Sequence, residues 1–248
     1  MSQQIVILAA GKGTRMGVDV PKVILPLGNK PVIVRLLENI EVVEQITKPI
    51  LVVGFMKELV EKTVTDNLGE GFLFVTQFDQ KGTAHAALSA KPVVTAKNII
   101  ILNGDMPFTS AESLQQVSDL HTQTNSKVTM LPCQLPNFEN QYKNFLSYGR
   151  IIRDSDGKIV KIQEYKDCTE EQKQITEVNP GSYMFNAEWL WEKLELIGSN
   201  NSQGEFYLTD IIEIAIQDGQ TIQSLPIPAE EIYGINTPEN LAFAESLV

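Results

Sequence analysis

The fold this sequence predicts is a mixed α/β layer structure, a mainly parallel sheet with helices on both faces, and three observations predict it. Short β-branched runs alternate with helical patterns through the first half of the chain. The first of these runs leads straight into a glycine-rich loop, Ala9-Ala10-Gly11-Lys12-Gly13. No repeat, low-complexity run or Pro/Gly/Ser linker divides the 248 residues, and that length suits one large α/β domain over residues 1–248.

The elements follow in order. Gln4–Leu8 reads as a strand, Val32–Val43 as a helix and Ile50–Val53 as a second strand. Met56–Thr65 has helical spacing, Phe72–Thr76 is extended, Thr83–Ala90 is helical and Ile99–Leu102 is extended again. In the second half, Arg150–Arg153 and Lys158–Gln163 flank Asp154-Ser155-Asp156-Gly157, whose small polar residues and glycine suit a hairpin turn. Val178–Phe185 reads as one strand, Ala187–Leu196 and Tyr207–Gln217 as helices, and Pro238–Leu247 as a closing helix with proline at its start. The hairpin region is expected as an insertion over the open face of the sheet.

Composition excludes several classes. The longest apolar runs, such as Ile5–Ala10, are too short to span a bilayer, and no basic stretch precedes the first strand as a signal peptide requires. A formal charge of −11 argues against nucleic acid, which calls for a basic surface. Cys133 and Cys168 are too few for a disulfide framework or a zinc site, so a cytoplasmic setting is expected. His85 is read as structural and His121 as surface; neither has a cysteine, acid or second histidine at ligand spacing. The negative charge also sets a condition. An anionic ligand needs cations gathered locally.

The loop Leu8-Ala9-Ala10-Gly11-Lys12-Gly13-Thr14-Arg15-Met16 meets that condition. Its glycines allow a sharp turn with N–H groups aimed at an anion, at the carboxyl end of a strand where open α/β sheets bind ligands. It is not a P-loop, which needs Gly, four residues and Gly-Lys-Ser/Thr. Nor is it the dinucleotide fingerprint, because Gly17 falls four residues after Gly13 instead of three, and the second strand ends at Gly54, not at an acid. Taken alone, the loop could be a ligand-free turn. Pro21-Lys22-Val23, just downstream, adds a lysine that could clamp phosphate.

These two segments together resemble the sugar nucleotidyltransferases. Gln77-Phe78-Asp79-Gln80-Lys81-Gly82-Thr83-Ala84-His85-Ala86 resembles that family's base-reading segment. Glu164-Tyr165-Lys166-Asp167-Cys168-Thr169, Glu177-Val178-Asn179 and Gly204-Glu205-Phe206-Tyr207-Leu208-Thr209-Asp210 are similar to the bacterial N-acetylglucosamine-1-phosphate uridyltransferases in particular. The resemblance runs from about Ile5 to Asn240. It implies a Rossmann-like (GT-A-like) nucleotidyltransferase fold with the hairpin over the sugar site. It departs in three places: Asn103 stands where tyrosine is usual, Pro180 where threonine is, and the β-helix acetyltransferase domain of the bifunctional relatives is not expected within residues 1–248.

The roles implied are these. Leu8, Ala10, Gly11, Gly13, Gln77, Gly82 and Thr83 would bind the nucleotide, with the Gln77 amide pairing an imide edge such as that of uracil. Arg15 would grip the departing phosphates and Lys22 would neutralise charge between the attacking phosphate and the α-phosphate. Asp105 and Asn236 would hold Mg²⁺, which takes few protein oxygens and completes its shell from phosphate and water. Gly149, Glu164 and Asn179 match the sugar pocket, and Asn103 should border it. Taken alone, Asp105 could cap a turn and Asn236 could cap the last helix. Glu205 matches the pattern without an assignable role. The expected activity is uridylyl transfer from UTP to N-acetylglucosamine 1-phosphate; the rivals are a nucleotidyltransferase for another sugar such as glucose 1-phosphate, and a silent nucleotide-sugar sensor.

Overall fold

The computed structural model describes residues 3–41, 43 and 46–248. Its strands are β1 (Gln3–Leu8), β2 (Pro26–Leu27), β3 (Lys30–Pro31), β4 (Ile46–Val53), β5 (Leu73–Thr76), β6 (Asn98–Asn103), β7 (Val128–Met130), β8 (Cys133–Gln134), β9 (Gly149–Arg153), β10 (Ile159–Gln163), β11 (Glu177–Asn179), β12 (Tyr183–Asn186) and β13 (Gln223–Ser224). Its α-helices are α1 (Val32–Glu41), α2 (Lys57–Leu68), α3 (Thr83–Ser89), α4 (Ala111–Thr124), α5 (Glu170–Lys173), α6 (Ala187–Leu194), α7 (Ile211–Gln217) and α8 (Pro238–Glu245).

β1 is the centre of the main sheet, whose order is β13-β7-β12-β6-β1-β4-β5. Its run Ile5-Val6-Ile7 is fully buried, as a strand covered on both faces must be. Successive side chains point to opposite faces. Ile5 and Ile7 pack with α1, α2 and α4, while Val6 packs with α3, α6 and α7. β1 pairs in parallel with β4 on one side and β6 on the other, and β12 runs antiparallel to both of its neighbours. The chain goes from β1 to β4 and β5 on one side, then returns to β6 on the other. Such a reversal opens a crevice at the carboxyl ends of the strands it separates. There Leu8 lies in register with Asn103, and the Gly104 N–H donates to the Leu8 carbonyl at 2.9 Å. A Cβ on Gly104 would stand 3.1 Å from the Ala9 side chain, so the close approach of the two loops needs this glycine.

The hairpin is β9 and β10, within a second sheet of order β10-β9-β11-β8. Asp154 Oδ1 accepts from the N–H groups of Asp156 and Lys158, and Gly157 takes the left-handed φ of 78° that closes the turn. Val178–Phe185 is not the single strand expected from the sequence. It divides into β11 in the small sheet and β12 in the main one, separated by Pro180, which lacks an N–H, and Gly181 at φ 84°. Tyr207–Gln217 likewise divides, into a 3₁₀ turn over Leu208–Asp210 and α7. Of the expected helix Val32–Val43, α1 ends at Glu41 and Val42 lies outside the described residues.

α4 had no counterpart in the sequence reading. Its sequence is mostly polar; it is capped by Ser110, which accepts from the Ser113 N–H, and it buries Leu114, Val117 and His121. His121 is therefore a correction, since it is 1% exposed and not at the surface. It follows Val117 by one turn on the inner face, and its Nδ1 meets Thr129 Oγ1 at 2.9 Å. Burial, reinforced by the charges of Lys127 and Lys97, pulls its pKa down to about 4, so the ring is neutral at physiological pH.

Candidate active site

One cleft of about 480 Å³ lies at the carboxyl edge of the sheet, lined by every expected site residue except Gly13. Gly13 turns the chain at φ 67°, and a Cβ there would stand 3.0 Å from Lys22 Cβ. Its place is beneath the lysine stem, outside the cleft wall. Within the cleft Lys22 Nζ donates to Asp105 Oδ2 and, at 2.7 Å, to Asn236 Oδ1. Arg15 Nη2 donates to the same Asn236 oxygen at 2.8 Å. Asp105 follows β6, and its carbonyl accepts the Ile235 N–H at 2.9 Å, which brings Asn236 beside it. The cap of α8 is Thr237, not Asn236. The asparagine side chain is thereby free to face the cleft. Two cations in a small space answer the problem set by the overall negative charge.

The two oxygens of Asp105 and Asn236 converge on one ammonium group, so a cation fits between them. Among the described residues no three acids, histidines or cysteines cluster as a complete metal cage. Such a pair suits a hard ion that takes its other ligands from substrate and water.

Of the residues expected at the base, Gln77 follows β5 and is 5% exposed. Its Nε2 lies 3.2 Å from the Gly82 carbonyl and 3.0 Å from His85 Nδ1. The motif from Gly204 to Asp210 acquires a structural role here. Phe206 N–H donates to the Lys81 carbonyl, the Phe206 carbonyl accepts from Ala84, and Leu208 N–H donates to Thr83 Oγ1 at 2.9 Å. A Cβ on Gly82 would meet the Phe206 oxygen at 2.5 Å, so only glycine fits against this brace. Gln80, a member of the same 77–86 segment with no role assigned from sequence, donates from Nε2 to the Ala10 carbonyl at 2.7 Å and ties the segment to the glycine loop. Glu205 lines the same cleft.

The small sheet supplies the residues expected at the sugar, Gly149, Glu164 and Asn179. Glu164 follows β10 and accepts from Thr209 Oγ1 at 3.1 Å. Burial raises its pKa, the Thr209 bond lowers it, and the charges of Asp210 and Asp167 raise it further; the net direction is upward. Asn179 Nδ2 donates to Tyr183 Oη at 2.6 Å, and its Oδ1 accepts from the Gly181 N–H at 3.2 Å. The two departures from the family pattern touch: Asn103 Nδ2 donates to the Pro180 carbonyl at 3.0 Å.

Next to Gly149 in the chain is Arg150, 0% exposed. Its guanidinium donates to the carbonyls of Leu146, Tyr148 and Lys173 and lies over the rings of Phe138, at 4.4 Å, and Tyr165, at 5.1 Å. A buried charge is costly unless its hydrogen bonds are met, and carbonyl dipoles and ring faces meet them here. Tyr148, also in the cleft wall, donates to the Ile232 carbonyl at 2.6 Å and accepts from the Gly234 N–H, joining the hairpin region to the Asn236 segment. Neither residue carried a sequence signal, since each acts through carbonyls distant in the chain.

The nucleotidyl transferase family profile matches residues 4–229. The chain is 42% identical over 238 residues to the bifunctional protein GlmU of Carboxydothermus hydrogenoformans, covering 96% of this chain and 51% of that protein. It is 37% identical over 244 residues to the bifunctional protein GlmU of Desulfotalea psychrophila, covering 97% and 69%. The chain thus spans about half the length of the first relative. A solved UDP-glucose pyrophosphorylase complexed with UDP-glucose superposes with a TM-score of 0.79 at 18% identity, covering 100% of this chain and 98% of that one, and so shares the fold. A match that extends from β1 past the last strand, on a chain whose glycine loop and cations open onto one cleft, identifies the enzyme class: the chain belongs to the nucleotidyl transferase family.

Proposed function

We propose that this chain transfers a uridylyl group from UTP to N-acetylglucosamine 1-phosphate, giving UDP-N-acetylglucosamine and pyrophosphate, with Mg²⁺ as the divalent ion and in a reducing cytoplasm. We also propose that residues 1–248 act as one nucleotidyltransferase unit. The observation that carries the reading is that one cleft gathers three sets of groups: Gln77 and Gly82; Gly11, Arg15, Lys22, Asp105 and Asn236; and Glu164 and Asn179. A nucleotide and a sugar phosphate meeting at their phosphates need all three sets in one cleft. The GlmU relatives support it over nearly the whole chain.

The sugar phosphate oxygen would attack the α-phosphorus as the bond to pyrophosphate breaks. This nucleophile is already anionic near neutrality, so no side chain need deprotonate it, and catalysis rests on positioning and neutralising charge. Asp105 and Asn236 would hold Mg²⁺, which neutralises the phosphate oxygens it contacts. Lys22 would neutralise charge shared between the attacking phosphate and the α-phosphate, and Arg15 would grip the departing phosphates. Leu8, Ala10, Gly11 and Thr83 would border the nucleotide, and Gly149 leaves room for the sugar beside Glu164. The retained Lys22, Arg15, Asp105 and Asn236 favour an enzyme over a sensor, which needs no charge-neutralising centre. Pyrophosphate release, measured across a panel of nucleoside triphosphates and sugar 1-phosphates, tests the reading. UTP with N-acetylglucosamine 1-phosphate should be the best pair; no release from any pair would refute it.

A further inference from the structure

Asn236 is one of the two residues read as metal ligands, and its side-chain oxygen is held by Lys22 and Arg15. An ion between Asp105 and Asn236 would take the place of the Lys22 ammonium, and Arg15 is read as turning to the departing phosphates. Neither cation can then keep the oxygen in position for the ion, so the backbone must. The Asn236 N–H donates to Asn240 Oδ1 at 3.3 Å, a bond inside the segment itself. The backbone link to Asp105 is the Ile235 N–H, which donates to the Asp105 carbonyl at 2.9 Å. A chain held by one such bond can pivot about it. The Tyr148 hydroxyl supplies the bonds that prevent this. It donates to the Ile232 carbonyl at 2.6 Å and accepts from the Gly234 N–H at 3.2 Å, and one hydroxyl can do both at once. A Cβ on Gly234 would stand 2.9 Å from that hydroxyl oxygen, 3.1 Å from Asn236 Nδ2 and 3.7 Å from Asp105 Oδ2. Hydroxyl, amide and carboxylate therefore surround one glycine.

We propose that Tyr148 is a positioning residue for the divalent ion: its hydroxyl holds the stretch before Asn236 so that the amide oxygen stays beside the Asp105 carboxylate. This rests on the reading of Asp105 and Asn236 as the ligands. The remainder of Tyr148 is fixed without the hydroxyl. Its N–H donates to the Phe145 carbonyl at 3.1 Å, its carbonyl accepts from Arg150, and its ring meets the Phe145 ring edge-on at 5.4 Å. Removing the hydroxyl should loosen the Asn236 segment and leave Gly149, the next residue along the hairpin, in place. Tyr233 offers a matched comparison on the same segment. Its hydroxyl is also bonded, to Asn144, but it lines a separate small cavity with Phe145 and Phe243 and not the cleft.

The test is Mn²⁺ binding to the full chain in saturating UTP, followed by water-proton relaxation, which reports the protein-bound ion without turnover. Tyr148→Phe should raise the Mn²⁺ Kd about fivefold, the scale of one net hydrogen bond. The Mg²⁺ concentration for half-maximal pyrophosphate release should rise by the same factor, and excess Mg²⁺ should restore turnover. KM for the sugar phosphate should not move. Tyr233→Phe, which also deletes one hydroxyl, should lower the melting temperature and leave the Mn²⁺ Kd unchanged. Gly234→Ala, whose methyl would part the hydroxyl from Asn236, should weaken Mn²⁺ as well and stands in if Tyr148→Phe does not fold. Wild-type Mn²⁺ binding with no turnover of any substrate pair would refute the transferase reading and leave this one standing. Four results overturn the proposal: no Mn²⁺ binding by wild type; an unchanged Kd in folded Tyr148→Phe, or in Gly234→Ala in its place; an equal loss in Tyr233→Phe; or a KM for the sugar phosphate that rises as much as the Mn²⁺ Kd.

Discussion

At the phosphate end of the cleft, Lys22 and Arg15 are satisfied by Asp105 and Asn236, which are themselves groups that a ligand would use. At the sugar end, Asn179, Glu164 and Asn103 are satisfied by Tyr183, Thr209 and the Pro180 carbonyl, which are neutral and belong to the scaffold. The first arrangement is exchangeable. A phosphate or a metal ion can replace each partner with a stronger one, so the cations are stored where they will be needed without being left unpaired. The second arrangement is most firmly fixed at Asn179, because breaking its buried neutral hydrogen bond to Tyr183 leaves a polar group without water to replace it. Charge handling and shape reading are thus built by opposite means within one cleft.

The sharpest way to break this comparison is at Asp105. Asp105→Ala should cost about 10³-fold or more in kcat, equal to several kcal/mol of charge stabilisation, while circular dichroism stays that of wild type. Chelator should stop the wild-type enzyme and added Mg²⁺ restore it. Retained turnover in the variant would mean that Asp105 only stores Lys22. Next in size, Arg15→Ala and Lys22→Ala should each lower kcat by ~10²–10³-fold, as loss of one preorganised donor does. If steady-state kinetics show only a raised KM, the cations bind ground state and transition state equally, and the exchange at this end has no catalytic use.

The sugar end yields smaller effects. Asn103→Tyr removes the donor to the residue-180 carbonyl, which threonine would keep, so any dependence on Pro180→Thr acts through the fixed φ and missing N–H of proline, which set where that carbonyl lies. We expect the ratio of kcat/KM for N-acetylglucosamine 1-phosphate over glucose 1-phosphate to rise about tenfold in the double variant, the scale of one added contact. The two substitutions should couple by ~0.5–3 kcal/mol in a double-mutant cycle. Additive effects would show that the contact at 3.0 Å does not govern sugar choice.

The smallest effect concerns pH. A Glu164 pKa raised mainly by burial means that the carboxylate, the form that accepts from sugar hydroxyls, is lost as pH falls at a higher value than for an ordinary glutamate. The acid limb of kcat/KM for the sugar should reflect this, and Thr209→Val, which deletes the bond that lowers the pKa, should move the limb further up. For stability the sign is opposite. A carboxyl raised on folding contributes stability that is full below its unfolded pKa and is lost as pH rises through the folded one. Thermal melts of Glu164→Gln should therefore lose this falling contribution. An acid limb that ignores Thr209 would separate Glu164 from sugar binding.

Much of this was legible in the chain. The alternation of strands and helices in the first half, the glycine loop and the hairpin turn all announce themselves locally, through apolar runs and through residues that only certain φ angles accept. The residues of the cleft were legible as a set, because the family pattern supplied groups whose individual signals were dull. What escaped the sequence was relational. Nothing near His121 marks it as buried, since Thr129 and the face of α4 decide that together. Nothing in Thr83 shows that its oxygen braces Leu208, and nothing in Arg150 shows that its partners are three carbonyls. The break in Val178–Phe185 was legible and went unused, because Asn179-Pro180-Gly181-Ser182 interrupts the apolar residues with a Pro-Gly turn signal.

That interruption has an engineering consequence. β11 and β12 are one stretch of chain that leaves the small sheet at Asn179 and enters the main sheet at Tyr183, and β12 lies against β6, the strand that ends in Asn103 and leads to Asp105. The sugar end is accordingly stitched into the scaffold and is not a detachable cassette. Grafting a hairpin from a relative of different sugar preference would carry over Glu164 and leave Asn103 behind, facing a foreign residue 180. The unit to transplant is the hairpin together with the Pro180-Gly181 crossing and the last residue of β6, three pieces that sequence separates and that any chimera must exchange together.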